Sequence, residues 1–162
     1  MTHFRFAAAM LCATMLLSCQ AVPPVKAVSS ANAIPTERTI HSTDDIYPAV
    51  GPYSQIVQAG NLYFLSGVIP LNRAGNAVVG STIEQQTRQV LEYIAAKLEA
   101  VGLTLDNVVM STVYLSDLDE FTQMNQVYGE FFASSPPARA TVQVARLPRD
   151  VKIEISVIAS AN

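Results

Sequence analysis

Tryptophan is missing from this 162-residue chain, histidine and cysteine each occur only twice, and only 14% of the residues are charged. Each scarcity narrows the field. The ten lysines and arginines are scattered with no basic run and the net charge is −3, which argues against a nucleic-acid backbone as the main partner. No apolar stretch of about eighteen residues is present, so nothing reads as a membrane-spanning helix. Both cysteines, Cys12 and Cys19, lie near the N-terminus. The body of the chain therefore offers no disulfide framework and no cysteine-based catalytic or metal site. No internal repeat or low-complexity array is visible. What remains is 50% hydrophobic and long enough for one domain with a substantial core.

The N-terminus reads as a targeting segment. His3 and Arg5 form a short polar start, and Phe6 to Leu17 is an apolar, small-residue-rich run of signal-peptide length. It ends Leu16-Leu17-Ser18-Cys19-Gln20, which resembles a bacterial lipobox. Residues 1–18 are accordingly expected to be a signal peptide and Cys19 the lipidated residue, since such a signal needs a thiolate to take up the lipid. Two or more acyl chains make the anchoring stable. Gln20 in place of Asp matches the outer-membrane sorting pattern. The expected location is the bacterial cell envelope, lipid-anchored and facing the periplasm. An ordinary cleaved secretory signal and a start site placed too early are the other readings. Residues 19–35, rich in Pro, Ala and Ser, read as a flexible tether, and residues 36–162 as the domain.

Within the domain, 37–42 reads as a first short strand. Strand material over 56–59 and 62–66 follows, with Gly60-Asn61 as a two-residue hairpin link. From Thr82 to Val101, Ile83, Thr87, Val90, Leu91, Ile94, Leu98 and Val101 keep helical spacing, with Ser81 or Thr82 to cap and Gly102 to close. Val108–Leu115 is β-branched and apolar, like a central strand. Ser116-Asp117-Leu118-Asp119 caps a second helix whose Phe121, Met124, Val127, Tyr128 and Phe131 line one side as core.

The stretch Pro136–Ile158 reads as two strands paired as a hairpin around Leu147-Pro148-Arg149-Asp150. In the first, Ala140, Val142 and Val144 take the core side and Arg139, Thr141 and Gln143 the other. In the second, Val151, Ile153, Ile155 and Val157 take the core and Lys152, Glu154 and Ser156 the other. This places one arginine and one glutamate on a single sheet face that is otherwise small and neutral. The order β-β-β-α-β-α-β-β predicts an α+β fold, a mixed sheet with both helices on one face. The uncovered face needs burial, which predicts an oligomer.

Seven segments in order then resemble one family: GPYSQ (51–55), SGVIP (66–70), TRQVLEYIAAKLEAVGLTLDNVV (87–109), TVYLSDL (112–118), FTQMNQVYGEFF (121–132), PPARATVQVARLP (136–148) and VKIEI (151–155). They are similar to the Rid (YjgF-type) family of reactive enamine/imine deaminases, over roughly Ile40 to Ala159. The resemblance implies a chorismate-mutase-like six-stranded mixed sheet assembled as a homotrimer with clefts between subunits. It implies hydrolysis of 2-aminoacrylate and related 2-imino acids to 2-keto acids and ammonia, with no metal or organic cofactor. It implies Arg139 as the carboxylate holder and Glu154 as the water-positioning group, with Tyr53, Ser66, Gly67 and Asn125 contacting substrate. The expected partners are thus a small 2-imino or 2-keto acid and further copies of the chain, with no nucleic acid, and a membrane only through the lipid.

The residue types suit that chemistry. A planar guanidinium holds a carboxylate bidentately and fixes its orientation. A glutamate can take a proton from water attacking an imine carbon. A tight hairpin would put Glu154 near Gln143 and leave Arg139 roughly 13 Å away along the strand, so the site is either bridged by long side chains or composite between subunits. Val68, Ala140, Thr141 and Ser156 depart from common family residues, which bears on specificity. The rival expectation is a non-catalytic trimeric module that holds small carboxylates or protects proteins. An RNA-cleaving role, also attached to parts of the family, is disfavoured by the acidity.

Overall fold

The computed structural model describes residues 37–161. Eight main elements follow the expected order: β1 (Arg38–His41), β2 (Ile56–Ala59), β3 (Leu62–Val68), α1 (Ile83–Glu99), β4 (Val108–Leu115), α2 (Phe121–Phe131), β5 (Ala138–Gln143) and β6 (Ile153–Ser160). One six-stranded sheet runs β1-β2-β3-β6-β4-β5. Its pairs are antiparallel except β4 with β5, which are parallel. A parallel pair needs a crossover, and α2 supplies it.

Local chemistry explains the boundaries. Gly60, at φ 63°, turns β2 into β3 where a side chain would be strained. The Thr82 hydroxyl accepts the Gln85 N–H at 3.4 Å to cap α1, and Gly102 leaves the helix at φ 75°. Asp117 accepts the Asp119 N–H at 2.9 Å in the short 3₁₀ turn that leads into α2.

The core lies between the helices and one sheet face. Val90, Leu91, Ile94 and Leu98 of α1 and Met124 of α2 pack with Leu65, Val113, Leu115, Ile153, Ile155 and Val157, all buried. Three further α1 residues, Gln86, Tyr93 and Lys97, are buried on the same side, none of them anticipated from the apolar spacing. No helix covers the opposite face. There a register row, Ile40–Val57–Phe64–Ile158–Met110–Ala138, crosses all six strands with apolar side chains. Phe64 is 41% exposed and, further along that face, Val142 is 45% exposed.

The expected hairpin of β5 and β6 does not form. β4 runs between them, pairing β5 on one side and β6 on the other. Its apolar, β-branched sequence suits an interior position, bonded on both edges. The register then decides the faces: Arg139 lies opposite Ser111 and Glu154 opposite Tyr114. Positions 111 and 114 differ by an odd number of residues, so their partners project from opposite sides. Arg139, Thr141 and Gln143 face the helices, whereas Ala140 and Val142 join Glu154 on the open face. The expectation that Arg139 and Glu154 share one face is therefore corrected.

Candidate functional site

The residues singled out in the sequence fall into two groups. Glu154 leaves β6 at the β-bulge of β3, between Leu65 and Val68, where Gly67 lies beneath its carboxylate. A Cβ on Gly67 would collide with the Glu154 carboxylate, so only glycine lets that carboxylate sit there. Tyr47, Val50, Tyr53, Ser66, Gly67, Ile69, Pro148 and Glu154 line a cavity of about 360 Å³. The Ser66 hydroxyl donates to the Ser54 carbonyl at 2.5 Å and the Ser66 N–H to Gln55 O at 3.1 Å, which ties the bulge to the preceding segment. The Tyr53 hydroxyl accepts the Val50 N–H at 3.3 Å, holding the ring at the mouth.

Burial tunes this group. It raises the Glu154 carboxyl above its ordinary range, because the charged form loses water. Burial likewise pushes Tyr47 up to about 12, so its hydroxyl stays protonated and accepts the Ile69 N–H at 3.0 Å. Tyr47 was not anticipated. Its only signal in the sequence is an Ile46-Tyr47-Pro48 stretch a few positions before Gly51-Pro52.

The second group sits on the helix side at the sheet edge. Arg139 Nη2 donates to Asn125 Oδ1 at 2.7 Å. Its guanidinium carbon lies 4.5 Å from the centroid of the Tyr128 ring and 5.7 Å from that of Phe121. Asn125, Tyr128, Gly129, Phe132, Pro136, Pro137 and Arg139 line a second cavity of about 390 Å³. Tyr128, expected only as core, also props the guanidinium; its place one turn after Asn125 on α2 is the signal that could have found it. An arginine held through one amide keeps its remaining N–H donors for an anion.

A single subunit does not bring the two groups together. β4 lies between the strands that carry Arg139 and Glu154, and two strand spacings plus three residues of stagger put their backbones roughly 14 Å apart. Their side chains also leave opposite faces. Among the described residues no three His, Cys, Asp or Glu side chains converge as metal ligands.

The family model described as endoribonuclease L-PSP matches residues 43–161. A RutC family protein of Saccharolobus solfataricus is 56% identical over 113 residues, covering 70% of this chain and 90% of the relative. Reactive Intermediate Deaminase A, chloroplastic, of Arabidopsis thaliana is 41% identical over 138 residues, covering 85% of this chain and 73% of the relative. Among solved structures, that of E. coli TdcF with bound serine superposes with a TM-score of 0.73 at 38% identity, covering 76% of this chain and 99% of the other. The chain belongs to this family, the L-PSP or Rid (YjgF) family, and has its mixed-sheet fold with two helices.

The comparisons also correct the expected location. Placement in a bacterial envelope, anchored through Cys19 and facing the periplasm, is overturned: the relatives matched strongly include archaeal and plant proteins. No helix among the described residues is long and apolar enough to cross a membrane. Nothing found supports the lipoprotein signal. Residues 1–18, Cys19 and the proposed tether over 19–35 lie outside the described residues.

Replacing Gly67 by alanine tests how tightly Glu154 is seated. The new methyl forces the carboxylate or the bulge to move, with an expected loss of about 1–3 kcal/mol in unfolding free energy. Thermal unfolding of the variant beside wild type checks this.

Proposed function

We propose that the protein is a hydrolytic deaminase of small 2-imino acids, working at clefts formed between subunits of a homotrimer. One observation carries the reading: the anion-holding Arg139–Asn125 group and the Glu154–Gly67–Tyr53 group are separate half-sites within one subunit. Each is incomplete for the reaction alone. The apolar row Ile40–Val57–Phe64–Ile158–Met110–Ala138 on the open face gives a reason for subunits to associate, because a patch of that kind is seldom left to water. The name of the plant relative and the bound serine of TdcF support a small amino-acid-like substrate.

In this reading Arg139, steadied by Asn125 and Tyr128, holds the substrate carboxylate through paired N–H donors. Glu154 of the neighbouring half-site takes a proton from a water molecule as its oxygen bonds to the imine carbon. The carboxyl then passes that proton to the amine nitrogen of the tetrahedral adduct. For a protonated imine, the C–N bond then breaks while the carboxylate takes the adduct's hydroxyl proton; the carbonyl forms, and ammonia leaves and receives that proton from the carboxyl. A carboxyl lifted by burial is better suited to return the proton than an ordinary one. Tyr53, Ser66 and Gly67 wall the substrate, and no step needs a cofactor.

Nucleic-acid cleavage fits the surface poorly. Arg73, Arg88, Arg146 and Lys152 are each paired with a carboxylate, at 3.6, 2.5, 2.6 and 2.8 Å. A binding module without turnover is the second reading, favoured by the serine held in TdcF. The deciding assay generates imino acids in situ with an amino acid oxidase and follows their decay. Acceleration over buffer supports the enzyme; binding of a 2-keto acid with no acceleration supports the module.

The assembly is tested separately. Phe64→Asp places a charge in the middle of the open-face row, and light scattering is expected to find monomer where wild type gives trimer. Turnover should fall with the trimer although Phe64 lines neither cavity.

A further inference from the structure

Lys97 lies on the buried side of α1, only 2% exposed, among the largest wholly enclosed side chains of the described core. A lysine in such a place forfeits the hydration of its ammonium, and among the described residues it forms no ion pair. Its Nζ donates to the carbonyl oxygen of Ser66 at 3.2 Å. That carbonyl belongs to the peptide unit joining Ser66 to Gly67, and across a planar trans unit the Gly67 N–H points the opposite way. Gly67 lines the cavity and lies against the Glu154 carboxylate. One peptide thus separates a cation in the core from the groups of the cleft.

We propose that Lys97 is a positioning residue for this cleft: bonded to the Ser66 carbonyl from the core side, its ammonium fixes the β3 bulge and strengthens the Gly67 N–H as a donor to an oxyanion of the substrate. The inference rests on the reading of the cleft given above. A cation on a peptide carbonyl draws electron density along the amide, so the N–H at the other end becomes a better donor. A neutral amine keeps a weaker form of the bond and loses that pull.

Lys97 is placed to change state within reach of experiment, since burial alone lowers it to about 8. The titratable and charged groups on the elements packed around it are Tyr63 on β3, Glu154 on β6, Tyr128 and Glu130 on α2, Asp106 before β4, and Glu84, Arg88, Glu92, Tyr93 and Glu99 on α1. None of these enters as a cause of its shift. The coupling therefore depends on the desolvated ammonium and the Ser66 carbonyl.

The test is an NMR titration of the full chain, following the Gly67 amide in wild type, Lys97→Met and Lys97→Gln. In wild type the Gly67 amide is expected to shift with a midpoint near 8, and the alkaline limb of kcat/KM to share that midpoint. Both responses should vanish in Lys97→Met, with KM for the imino acid raised several-fold and kcat changed less. Lys97→Gln keeps a donor without the charge; it should hold the bulge yet show no titration, and it serves if the Met variant fails to fold. A Gly67 amide that stays still in wild type, or titrates equally in the variants, overturns the inference whatever the activity. A normal Gly67 titration in a protein that accelerates no imino-acid decay upholds the coupling and sinks the deaminase reading instead.

Discussion

Arg139→Ala and Glu154→Gln are each expected to lower kcat/KM for a 2-imino acid by at least about 100-fold while leaving the trimer intact. The two losses have different causes. Without the guanidinium the substrate carboxylate has only neutral donors, so both binding and orientation suffer. Without the carboxylate the substrate still binds, but the attacking water keeps its proton and kcat carries the loss. The fold should tolerate both changes. Arg139 gives up its bond to Asn125 and its contact with the Tyr128 ring, worth about 1 kcal/mol at a partly exposed site. Glutamine keeps nearly the shape of Glu154 above Gly67 and removes a carboxylate that burial disfavours.

The pH dependence follows from that burial. A raised carboxyl binds its proton more tightly in the folded chain than in the unfolded one, so the penalty on folding is lifted as pH falls through the folded value. Turnover moves the other way, because the base is consumed. The acid limb of kcat/KM should therefore lie above the ordinary carboxylate range and be missing from the residual activity of Glu154→Gln. Initial rates against pH, beside thermal unfolding of the same samples, check both halves.

Lys97→Met should change stability substantially, and in the favourable direction. The folded chain releases the Lys97 proton near 8, whereas an ordinary lysine holds it to 10.5, a difference of about 3 kcal/mol against the charged form. Losing the bond to Ser66 offsets about 1 kcal/mol of this, which leaves a net gain of about 2 kcal/mol at neutral pH. Below 8 both states of wild type hold the proton and the penalty is complete. Between 8 and 10.5 the unfolded chain holds more protons, so wild-type stability rises with pH and converges on the variant. Denaturant unfolding at one fixed protein concentration, at neutral and alkaline pH, measures the convergence. A protein that keeps so costly a lysine gives up stability at a point one peptide away from its cleft, which is the pattern of a residue retained for the site.

How far the sequence alone reaches can be seen in three places. α1 was legible because its signals are local: a capping hydroxyl at Thr82, apolar residues at 3.6-residue spacing, and glycine at 102. The partners of β5 were not, because strand pairing is settled by the whole sheet and β4, some thirty residues upstream of β5, takes the place between β5 and β6. The strand Ala138–Gln143 carries small residues on both sides, so alternation put Ala140 and Val142 on the inner side when Arg139 and Thr141 take it, and such an error reverses every face. Arg139 and Glu154 were thus found as residues but set on a common face they do not share. Lys97 shows the opposite limit. It falls on the inner side of α1 by spacing, yet a charged residue weighs against burial in any pattern of apolar positions.

The central claim is that each cleft draws Arg139 from one subunit and Glu154 from its neighbour. Co-expressing the Arg139→Ala and Glu154→Gln chains, each inactive alone, tests it most directly. If the cleft is shared, random mixing restores an intact pair at about one cleft in four, so the unfractionated mixture should recover about a quarter of wild-type activity. If both residues serve the same subunit's cleft, every cleft in the mixture carries a defect. Activity no higher than that of either parent, in trimers verified to contain both chains, would contradict the account.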